Sequence, residues 1–373
     1  MIGVLVRPVV GITGALALTL ASSGSSAQNG SSPWKSAAPG YALSLPRDHV
    51  SHPAFKIEWW YYTGNVETDR GRRFGYQVTF FRVGVEVQPK NPSSFAVRDL
   101  FIAHIAVTDA AAKRYVSAER INRAGVGWAG ASLTDYHVWN EDWEVRLDYG
   151  RHRLQARDAK FAIDLILYED RPPVLHGDRG YSQKGMTPGN ASQYYSLTRM
   201  PTEGSIFVDG GRFDVRGASW MDHEFGTSFL EKGQRGWDWF SLQLDDGSDI
   251  MLYQFRGQDG SADSHSSGTI VANGTYRRLM FGEFALVPGR QWTSSATNTT
   301  YPVEWQVKLP GEGLALSVRP VLDGQEMSGA RSGVSYWEGA VDIEGTRNGK
   351  PITGRGYLEM TGYSGRALGE FLQ

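Results

Sequence analysis

The stretch Glu58-Trp59-Trp60-Tyr61-Tyr62 begins a segment that ends in Tyr76-Gln77-Val78-Thr79-Phe80-Phe81-Arg82. Much later in the chain, Asp238-Trp239-Phe240 begins a segment that ends in Met251-Leu252-Tyr253-Gln254-Phe255-Arg256. Each segment places a carboxylate beside Trp, then a polar break that contains Gly, then an aromatic run that ends in Phe-Arg. Such a pattern is typical of a β-hairpin. The repeat therefore predicts two similar β domains in tandem, although aromatic hairpins are common enough that chance similarity is the alternative.

Length and composition agree with two domains and exclude one class of partner. The chain has 373 residues, more than the roughly 250–300 at which one hydrophobic core usually stops growing. The 38 Lys and Arg nearly balance the 40 Asp and Glu, so no nucleic-acid partner is expected. The 12 Trp, 17 Tyr and 16 Phe suit either a large apolar cavity or an aromatic β core.

Alternation of apolar and polar residues predicts many short strands and no long amphipathic helix. Turn signals such as Asn273-Gly274 and Asn348-Gly349 separate these segments. An all-β barrel or sandwich is therefore the expected fold class. The predicted strands are Leu100–Val107, Trp143–Leu147, Phe161–Leu167, Trp237–Leu244, Ile250–Phe255, Val303–Leu309, Leu314–Val318, Tyr336–Ile343 and Tyr357–Thr361.

The N-terminus has the pattern of an export signal. Arg7 precedes an apolar stretch, and Ser25-Ser26-Ala27 offers small residues at a cleavage site. We expect a signal peptide at 1–27 and a flexible linker at 28–45; an uncleaved anchor is the alternative. The N-terminal domain is then predicted at 46–226 and the C-terminal domain at 227–373. The absence of Cys excludes disulfides. The sequence thus predicts a bacterial periplasmic or secreted protein.

One central segment breaks the regular strand spacing. Residues 171–196 contain several Gly and Pro residues, which predicts a long loop. Loops of this length in compact domains usually cover a site or are disordered. A lid over a cavity is the favoured interpretation, because a phosphate-binding loop would need a following Gly-Lys-Ser/Thr that is missing.

The segment Trp220–Gly226 holds the densest group of chemically active side chains. In a strand, Asp222 and Glu224 point to one face and His223 points to the other. They could supply acid and base groups, or form salt bridges at the domain junction. A metal site built from all three is not expected, because neighbouring strand residues cannot reach one ion without a bend.

Glu58 and Asp238 stand beside Trp at the start of the two repeated strands. Burial in an apolar interior would raise the pKa of such a carboxyl, and a neutral carboxylic acid can donate a proton. The alternative is a structural carboxylate at the end of a barrel, bonded to Arg or to an indole N–H. The sequence contains no Gly-x-Ser-x-Gly motif and no Cys nucleophile, which disfavours an ordinary serine or cysteine hydrolase.

Several motifs occur in a fixed order along the chain. They are Ile57–Gly64, Tyr194–Arg199, Trp220–Glu224, Gly236–Phe240, Tyr336–Val341 and Gly356–Tyr363. Together these motifs resemble the lipocalin-like family that contains AttH-type proteins and carotenoid 1,2-hydratases (hydroxyneurosporene synthases). The resemblance covers nearly all of the predicted mature chain. It implies two tandem lipocalin-like antiparallel β-barrel domains that pack together.

The resemblance also implies a chemistry. The hydratase members add water across a carbon–carbon double bond of a carotenoid without a cofactor. That reaction needs an acid, aromatic rings that face a cation, and a base. The catalytic candidates are Asp222, His223 and Asp238, and no metal is expected. The ligand-binding candidates are Glu58, Trp59, Trp60, Trp220, Glu224, Trp239 and Tyr253.

The chain departs from the hydratase pattern at two places. Phe225 stands where Trp is expected, and Asp249–Tyr253 lacks an expected Tyr-x-Asp element. Three functions therefore stay open: a hydratase of an isoprenoid-like substrate, a periplasmic carrier of a hydrophobic small molecule, and a secreted hydrolase. A ligand of this kind would also allow transient contact with a membrane.

Export should produce a protein that begins at Gln28, because the apolar stretch is short and small residues precede the cleavage point. The intact mass of the exported protein measures this directly. A mature protein that keeps Arg7 would contradict the signal-peptide prediction.

Overall fold

The computed structural model describes residues 32–329 and 331–365. The predicted signal peptide, 1–27, and the first residues of the predicted linker lie outside the described residues. Regular structure in the described ranges is antiparallel β, apart from two short 3₁₀ turns at Arg47–His49 and Pro310–Glu312. The predicted all-β fold of two tandem lipocalin-like barrels is confirmed. Within these ranges no helix has the length and apolar character needed to cross a membrane.

The first sheet contains thirteen strands. Its order is β4-β3-β2-β1-β13-β12-β9-β8-β7-β6-β5, and β10 and β11 both pair with β12. The strand bounds are β1 Ile57–Glu67, β2 Arg73–Gly84, β3 Asp99–Asp109, β4 Arg114–Arg123, β5 Ala129–Ala131, β6 His137–Asn140, β7 Trp143–Asp148, β8 Arg151–Arg157, β9 Phe161–Tyr168, β10 Val174–Leu175, β11 Tyr181–Gln183, β12 Ala191–Val208 and β13 Gly211–Ser228.

The first sheet curls so that its two ends approach each other. Arg120 on β4 donates from Nη1 to the carbonyl oxygen of Asn140 on β6 at 3.0 Å. Asn122 on β4 donates to Oδ1 of the same Asn140 at 2.7 Å. Such curling hides the inward residues of every strand from water, and Trp60, Tyr62 and their apolar neighbours fill the interior.

The second sheet contains ten strands in the order β17-β16-β15-β14-β25-β24-β22-β21-β18, with β23 paired to β24. A separate ribbon joins β19 to β20. The bounds are β14 Gln234–Leu244, β15 Asp249–Gly257, β16 Ser267–Ala272, β17 Thr275–Leu279, β18 Ala285–Pro288, β19 Gln291–Thr293, β20 Thr300–Pro302, β21 Trp305–Leu309, β22 Leu314–Pro320, β23 Glu326–Ser328, β24 Ser335–Arg347 and β25 Lys350–Met360.

The repeated segments form the first hairpin of each sheet, β1–β2 and β14–β15. In each sheet the opening strand also pairs with the last one, β13 or β25. The repeated carboxylate forms an ion pair with the repeated Arg in both copies. The Glu58–Arg82 distance is 3.1 Å and the Asp238–Arg256 distance is 3.0 Å. These ion pairs agree with the structural alternative, in which each carboxylate lies at the end of a barrel and is bonded to Arg.

Eight of the nine predicted strands lie within single observed strands or match them closely. The ninth, predicted over Val303–Leu309, corresponds to β21, which begins two residues later at Trp305 and ends at Leu309. Val303 lies outside a named strand, although its backbone N–H donates to the carbonyl of Arg290 at 2.9 Å.

Part of the predicted linker packs against the first sheet. Trp34 is 8% exposed, and Ala37 is buried beside Phe55. The backbone N–H of Lys35 donates to the carbonyl of Ala54 at 2.8 Å. Bulky apolar residues here gain free energy from burial, which a Ser- and Gly-rich linker would not. The domain boundaries at 46–226 and 227–373 stay predictions.

The two sheets pack face to face through small residues and buried polar contacts. A Cβ atom added to Gly75 on β2 would lie only 2.5 Å from Cβ of Ala340 on β24. Nearby, Nδ2 of Asn65 donates to the carbonyl of Gly356 at 3.1 Å. Glycine is thus required at position 75 by close approach between the sheets.

Gly75→Val should lower the free energy of unfolding by about 1–3 kcal/mol, because the added side chain must push the sheets apart. Urea unfolding followed by Trp fluorescence measures the change. The matched control is Gly311→Ala, since a Cβ there meets nothing within 4 Å. Equal stability of Gly75→Val and wild type would show that the sheets do not approach this closely in solution.

Candidate active site between the two sheets

A pocket lies between the outer faces of the two sheets. Its empty volume is about 620 Å³, open solvent at the mouth included. The part of this space that the centre of a water molecule can reach is only about 60 Å³, so the pocket is narrow. Aromatic side chains, three carboxylates and one ammonium group line the pocket. The lining residues are Trp59, Tyr61, Phe81, Lys184, Tyr194, Asp222, Glu224, Phe229, Trp237, Trp239, Tyr253, Phe255 and Glu359.

Strand alternation decides which aromatic residues reach the pocket. On β1, Trp59 and Tyr61 line the pocket, whereas Trp60 is fully buried among the residues inside the first sheet. On β14, Trp239 lines the pocket and Phe240 lies in the core of the second sheet. One strand therefore serves both a barrel interior and the pocket.

The same alternation separates the residues of the β13 motif. Asp222 and Glu224 line the pocket. His223 points into the first sheet, where its Nε2 lies 2.9 Å from Oε1 of Glu58. The predicted pairing of Asp222 with His223 as acid and base on one substrate is therefore not formed. Neighbouring residues in a strand face opposite sides of the sheet.

Asp222 is held by three hydrogen-bond donors. The indole Nε1 of Trp220 donates to its Oδ1 at 2.6 Å, and the hydroxyl of Tyr194 donates to its Oδ2 at 2.6 Å. The hydroxyl of Ser196 also donates to Oδ1. Burial raises the pKa of Asp222 to about 7, although the three donors act in the opposite direction. This carboxyl can therefore exchange a proton near neutral pH.

Glu224 forms an ion pair with Lys184 at 2.5 Å. The ammonium nitrogen of Lys184 also lies 4.7 Å from the ring centroid of Tyr253 and 5.1 Å from that of Tyr194. Lys184 belongs to the segment 171–196, for which the sequence favours a lid. The short strands β10 and β11 of this segment pair with β12, so the segment forms part of the pocket wall.

Glu359 on β25 is the third carboxylate of the pocket. The indole Nε1 of Trp237 donates to its Oε1 at 2.7 Å. Burial, together with the negative charges of Asp222 and Glu224, raises the pKa of Glu359 to about 8, although the hydrogen bond from Trp237 acts in the opposite direction. A carboxyl in this environment stays protonated at neutral pH and can act as a proton donor.

A fourth carboxylate lies behind the pocket lining. Glu338 on β24 is the cross-strand neighbour of Glu359, and it is 1% exposed. Neither of its carboxyl oxygens has a hydrogen-bond partner among the described residues. Burial and the charge of Glu359 raise the pKa of Glu338 well above its usual range. Glu338 is therefore a second carboxyl group, beside Glu359, whose surroundings favour the protonated form.

The structure divides the predicted site residues among three places. The pocket lining contains Asp222, and also Trp59, Glu224, Trp239 and Tyr253. Trp220 supports Asp222 from the edge of the pocket. The interior of the first sheet contains Glu58, Trp60 and His223.

Asp238 occupies the third place, at one end of the second barrel. Its carboxylate contacts Arg256 at 3.0 Å and accepts a hydrogen bond from Tyr363 at 3.0 Å. Burial raises the pKa of Asp238 to about 6. Because it points away from Trp237 and Trp239 on the same strand, Asp238 does not reach the pocket.

The predicted site omits several aromatic lining residues and also the other acidic and basic residues of the pocket, Glu359 and Lys184. Glu359 lies in Gly356–Tyr363, one of the motifs that resemble the family, and apolar and polar residues alternate in this segment. Its alternation with Leu358 and Met360 could have assigned it to the outer face. Lys184 carried no comparable signal, because a single Lys in a Gly-rich segment has no periodicity to orient it.

These features define a two-barrel all-β protein whose apolar inter-sheet pocket holds carboxyl groups that bind protons near neutral pH. The sequence profile of the AttH-like family matches residues 36–363, and the chain belongs to this family. The crystal structure of an AttH protein from Nitrosomonas europaea is similar, with a TM-score of 0.80 and 37% identity. That match covers 88% of this chain and 99% of the other.

Two curated proteins show a more distant similarity. Kievitone hydratase of Fusarium solani subsp. phaseoli is 22% identical over 214 residues, which are 56% of this chain and 59% of that protein. Dehydratase asqC of Emericella nidulans is 23% identical over 223 residues, 57% of this chain and 62% of that protein. The chain thus spans about three fifths of the relatives it matches. Kievitone hydratase from Nectria haematococca has the same fold, with a TM-score of 0.66 at 19% identity over 88% of this chain and 96% of that one.

The raised pKa of Glu359 gives a signed prediction for stability. The folded state holds this proton more tightly than an unfolded chain, in which the pKa is about 4.5, so unfolding releases it. Stability should therefore fall as pH rises from about 4.5 to about 8. Glu359→Gln should flatten this part of the curve, as measured by urea unfolding across that range.

The control for this measurement is Glu344→Gln, since Glu344 is 68% exposed and lies on the neighbouring strand β24, away from the pocket. Its pH dependence should match wild type. An identical curve for Glu359→Gln and wild type would mean that Glu359 has no raised pKa in the folded protein.

Proposed function

We propose that this protein adds water across a carbon–carbon double bond of a hydrophobic small molecule bound between the two sheets, or forms such a double bond by removing water. The observation that carries the proposal is the pair Asp222 and Glu359, two carboxyls that hold protons near neutral pH and face an aromatic pocket. Relatives named as a hydratase and a dehydratase support this reaction class.

The chemistry follows from the different surroundings of the carboxyls. In hydration, the neutral Glu359 carboxyl gives its proton to one alkene carbon, which leaves a carbocation at the other. The rings of Trp59 and Trp239 offer negative π faces that stabilise this cation. Water attacks the cation, and ionised Asp222 takes the released proton. Solvent exchange at the pocket mouth then restores both groups, and the reverse sequence is dehydration.

Glu224 has a different role in this scheme. Its ion pair with Lys184 balances its charge, and the ammonium group also sits near two tyrosine rings. This pair can orient a polar substituent of the ligand without taking part in proton transfer. Replacement of one partner would leave the other buried and unpaired, at a cost of several kcal/mol.

The proposed ligand is an isoprenoid-like molecule, of which a carotenoid is one example. The pocket is lined mainly by aromatic side chains and opens to solvent, so an apolar chain could place one end inside. Export, proposed from residues 1–27, would bring the protein to the periplasm or the exterior, where transient membrane contact could supply such a ligand.

A secreted hydrolase fits the geometry less well. The only serine hydroxyl bonded to both a carboxylate and an imidazole in this part of the described chain is that of Ser196. It lies between Asp222 and His176, with His176 Nε2 at 2.6 Å. A nucleophilic triad needs the histidine in the middle. The non-catalytic carrier is therefore the stronger alternative, since donors that surround Asp222 could serve stability alone.

Purified wild type should convert an acyclic carotenoid or kievitone to a product that differs in mass by one water. Asp222→Asn and Glu359→Gln should each lower turnover by ~10²–10⁴-fold, as losses of general acid–base groups do. Both should still bind ligand, as followed by quenching of pocket Trp fluorescence. Liquid chromatography with mass detection measures turnover.

Asp238→Asn is the matched control, because it also removes a buried carboxylate charge but lies outside the pocket. It should affect stability more than turnover. Wild type that binds the ligands and changes none of them would favour the carrier. A loss of turnover in Asp238→Asn as large as in Asp222→Asn would show that the assignment to the inter-sheet pocket is wrong.

A further inference from the structure

A second polar cluster lies inside the first sheet, on the opposite face of β1 and β13 from the pocket. Its centre is Oε1 of Glu58. This oxygen lies 2.8 Å from Nδ1 of His52 and 2.9 Å from Nε2 of His223. The three ligand atoms all lie within 4.8 Å of one another. They come from a loop and two strands, so the fold itself brings them together.

Each of the three side chains is also held from behind. Nε2 of His52 lies 3.4 Å from Oδ1 of Asp48, and Nδ1 of His223 lies 3.0 Å from the hydroxyl of Tyr195. The other oxygen of Glu58 accepts from Ser51 at 2.9 Å and from Arg82 at 3.1 Å. Metal-ligating histidines typically donate their second ring N–H to such an oxygen, and ligating carboxylates are likewise hydrogen-bonded.

Proton counting shows that these contacts are not satisfied by neutral histidines. From Glu58 a chain runs through His223, Tyr195 and His49 to Glu169, with contacts of 2.9, 3.0, 2.7 and 3.1 Å. Four contacts need four protons, because ionised carboxylates at both ends only accept. The three side chains that lie between the carboxylates bring one proton each when they are neutral. One of the four contacts then has no proton and consists of two lone pairs that face each other.

The same count applies on the other side of Glu58. His52 lies between Asp48 and Glu58 and makes a contact with each of them. A neutral imidazole has one N–H, so it can donate to only one of the two carboxylates. The second contact therefore needs either an imidazolium, which Asp48 and Glu58 favour against burial by raising the pKa of His52, or a bound cation beside Oε1 of Glu58.

We propose that His52, Glu58 and His223 bind a divalent transition-metal ion of the zinc class. The ion would take the place of the protons that these contacts lack, since Nδ1 of His52, Oε1 of Glu58 and Nε2 of His223 lie within 4.8 Å of one another. Two imidazoles and one carboxylate are a ligand set that suits Zn²⁺. The remaining N–H groups then match Asp48 and Tyr195 without an additional proton.

The site would have a structural consequence. His52 follows the 3₁₀ turn Arg47–His49 and precedes β1, so a bound ion would fasten this loop to β1 and β13. The His52 side chain is 11% exposed, whereas Glu58 and His223 are fully buried. An ion would therefore approach from the side of His52. This proposal is independent of the chemistry in the inter-sheet pocket.

The full chain, dialysed against a chelator, should bind one equivalent of Zn²⁺ in isothermal titration calorimetry, and Zn²⁺ should raise its melting temperature. His52→Ala should abolish the melting shift and weaken binding by at least ~10-fold, and Tyr195→Phe should weaken it by ~10–100-fold. His137→Ala is the matched control, because His137 also pairs with a carboxylate, Glu144 at 3.0 Å, without a third ligand near it. It should bind like wild type.

A spectroscopic measurement tests the ligand set itself. Co²⁺ bound to wild type should give the visible absorption of a low-coordinate nitrogen and oxygen site, and His52→Ala, at the partly exposed position, should lose it. Wild type that binds no Zn²⁺, or binds it as well after His52→Ala, would overturn the proposal.

Discussion

The arrangement of this protein depends on strands that are buried on both faces. β1 and β13 each contribute one row of side chains to the interior of the first barrel and the other row to the inter-sheet pocket. Because the side-chain period of a strand is two, a shift of register by one residue would exchange these rows. Trp60 would then enter the pocket, and Asp222 would enter the barrel. The site exists only because register is fixed on both sides of the strand.

Buried charge is handled differently on the two faces. Inside the barrels, Glu58 and Asp238 each have an arginine partner from the neighbouring strand. In the pocket, Glu224 is the one carboxylate with a cationic partner among the residues that the structure describes. Unpaired burial favours the protonated form of a carboxyl. A buried carboxyl group is therefore favoured in its ionised form where a cationic side chain contacts it, and in its protonated form where none does.

The β13 motif places neighbouring residues in two separate polar networks. Asp222 and His223 are neighbours in sequence, yet one faces the aromatic pocket and the other faces Glu58 and Tyr195. A change in this motif would therefore affect two separate networks. Variants of His223 would test the interior cluster, and variants of Asp222 would test the pocket, although both lie within the most distinctive segment of the chain.

The sequence by itself determined the all-β class, the tandem repeat and the family, because alternation, turn residues and motif order are local patterns. It also assigned Asp222 and Glu224 to one strand face and His223 to the other, since that follows from strand period alone. It did not determine which face met which partner. Glu359, Lys184 and His52 are distant from Asp222 or Glu58 in sequence, and only pairing between strands and packing between sheets brings them together. Contacts across such distances depend on the whole fold, and so do the pKa values they set.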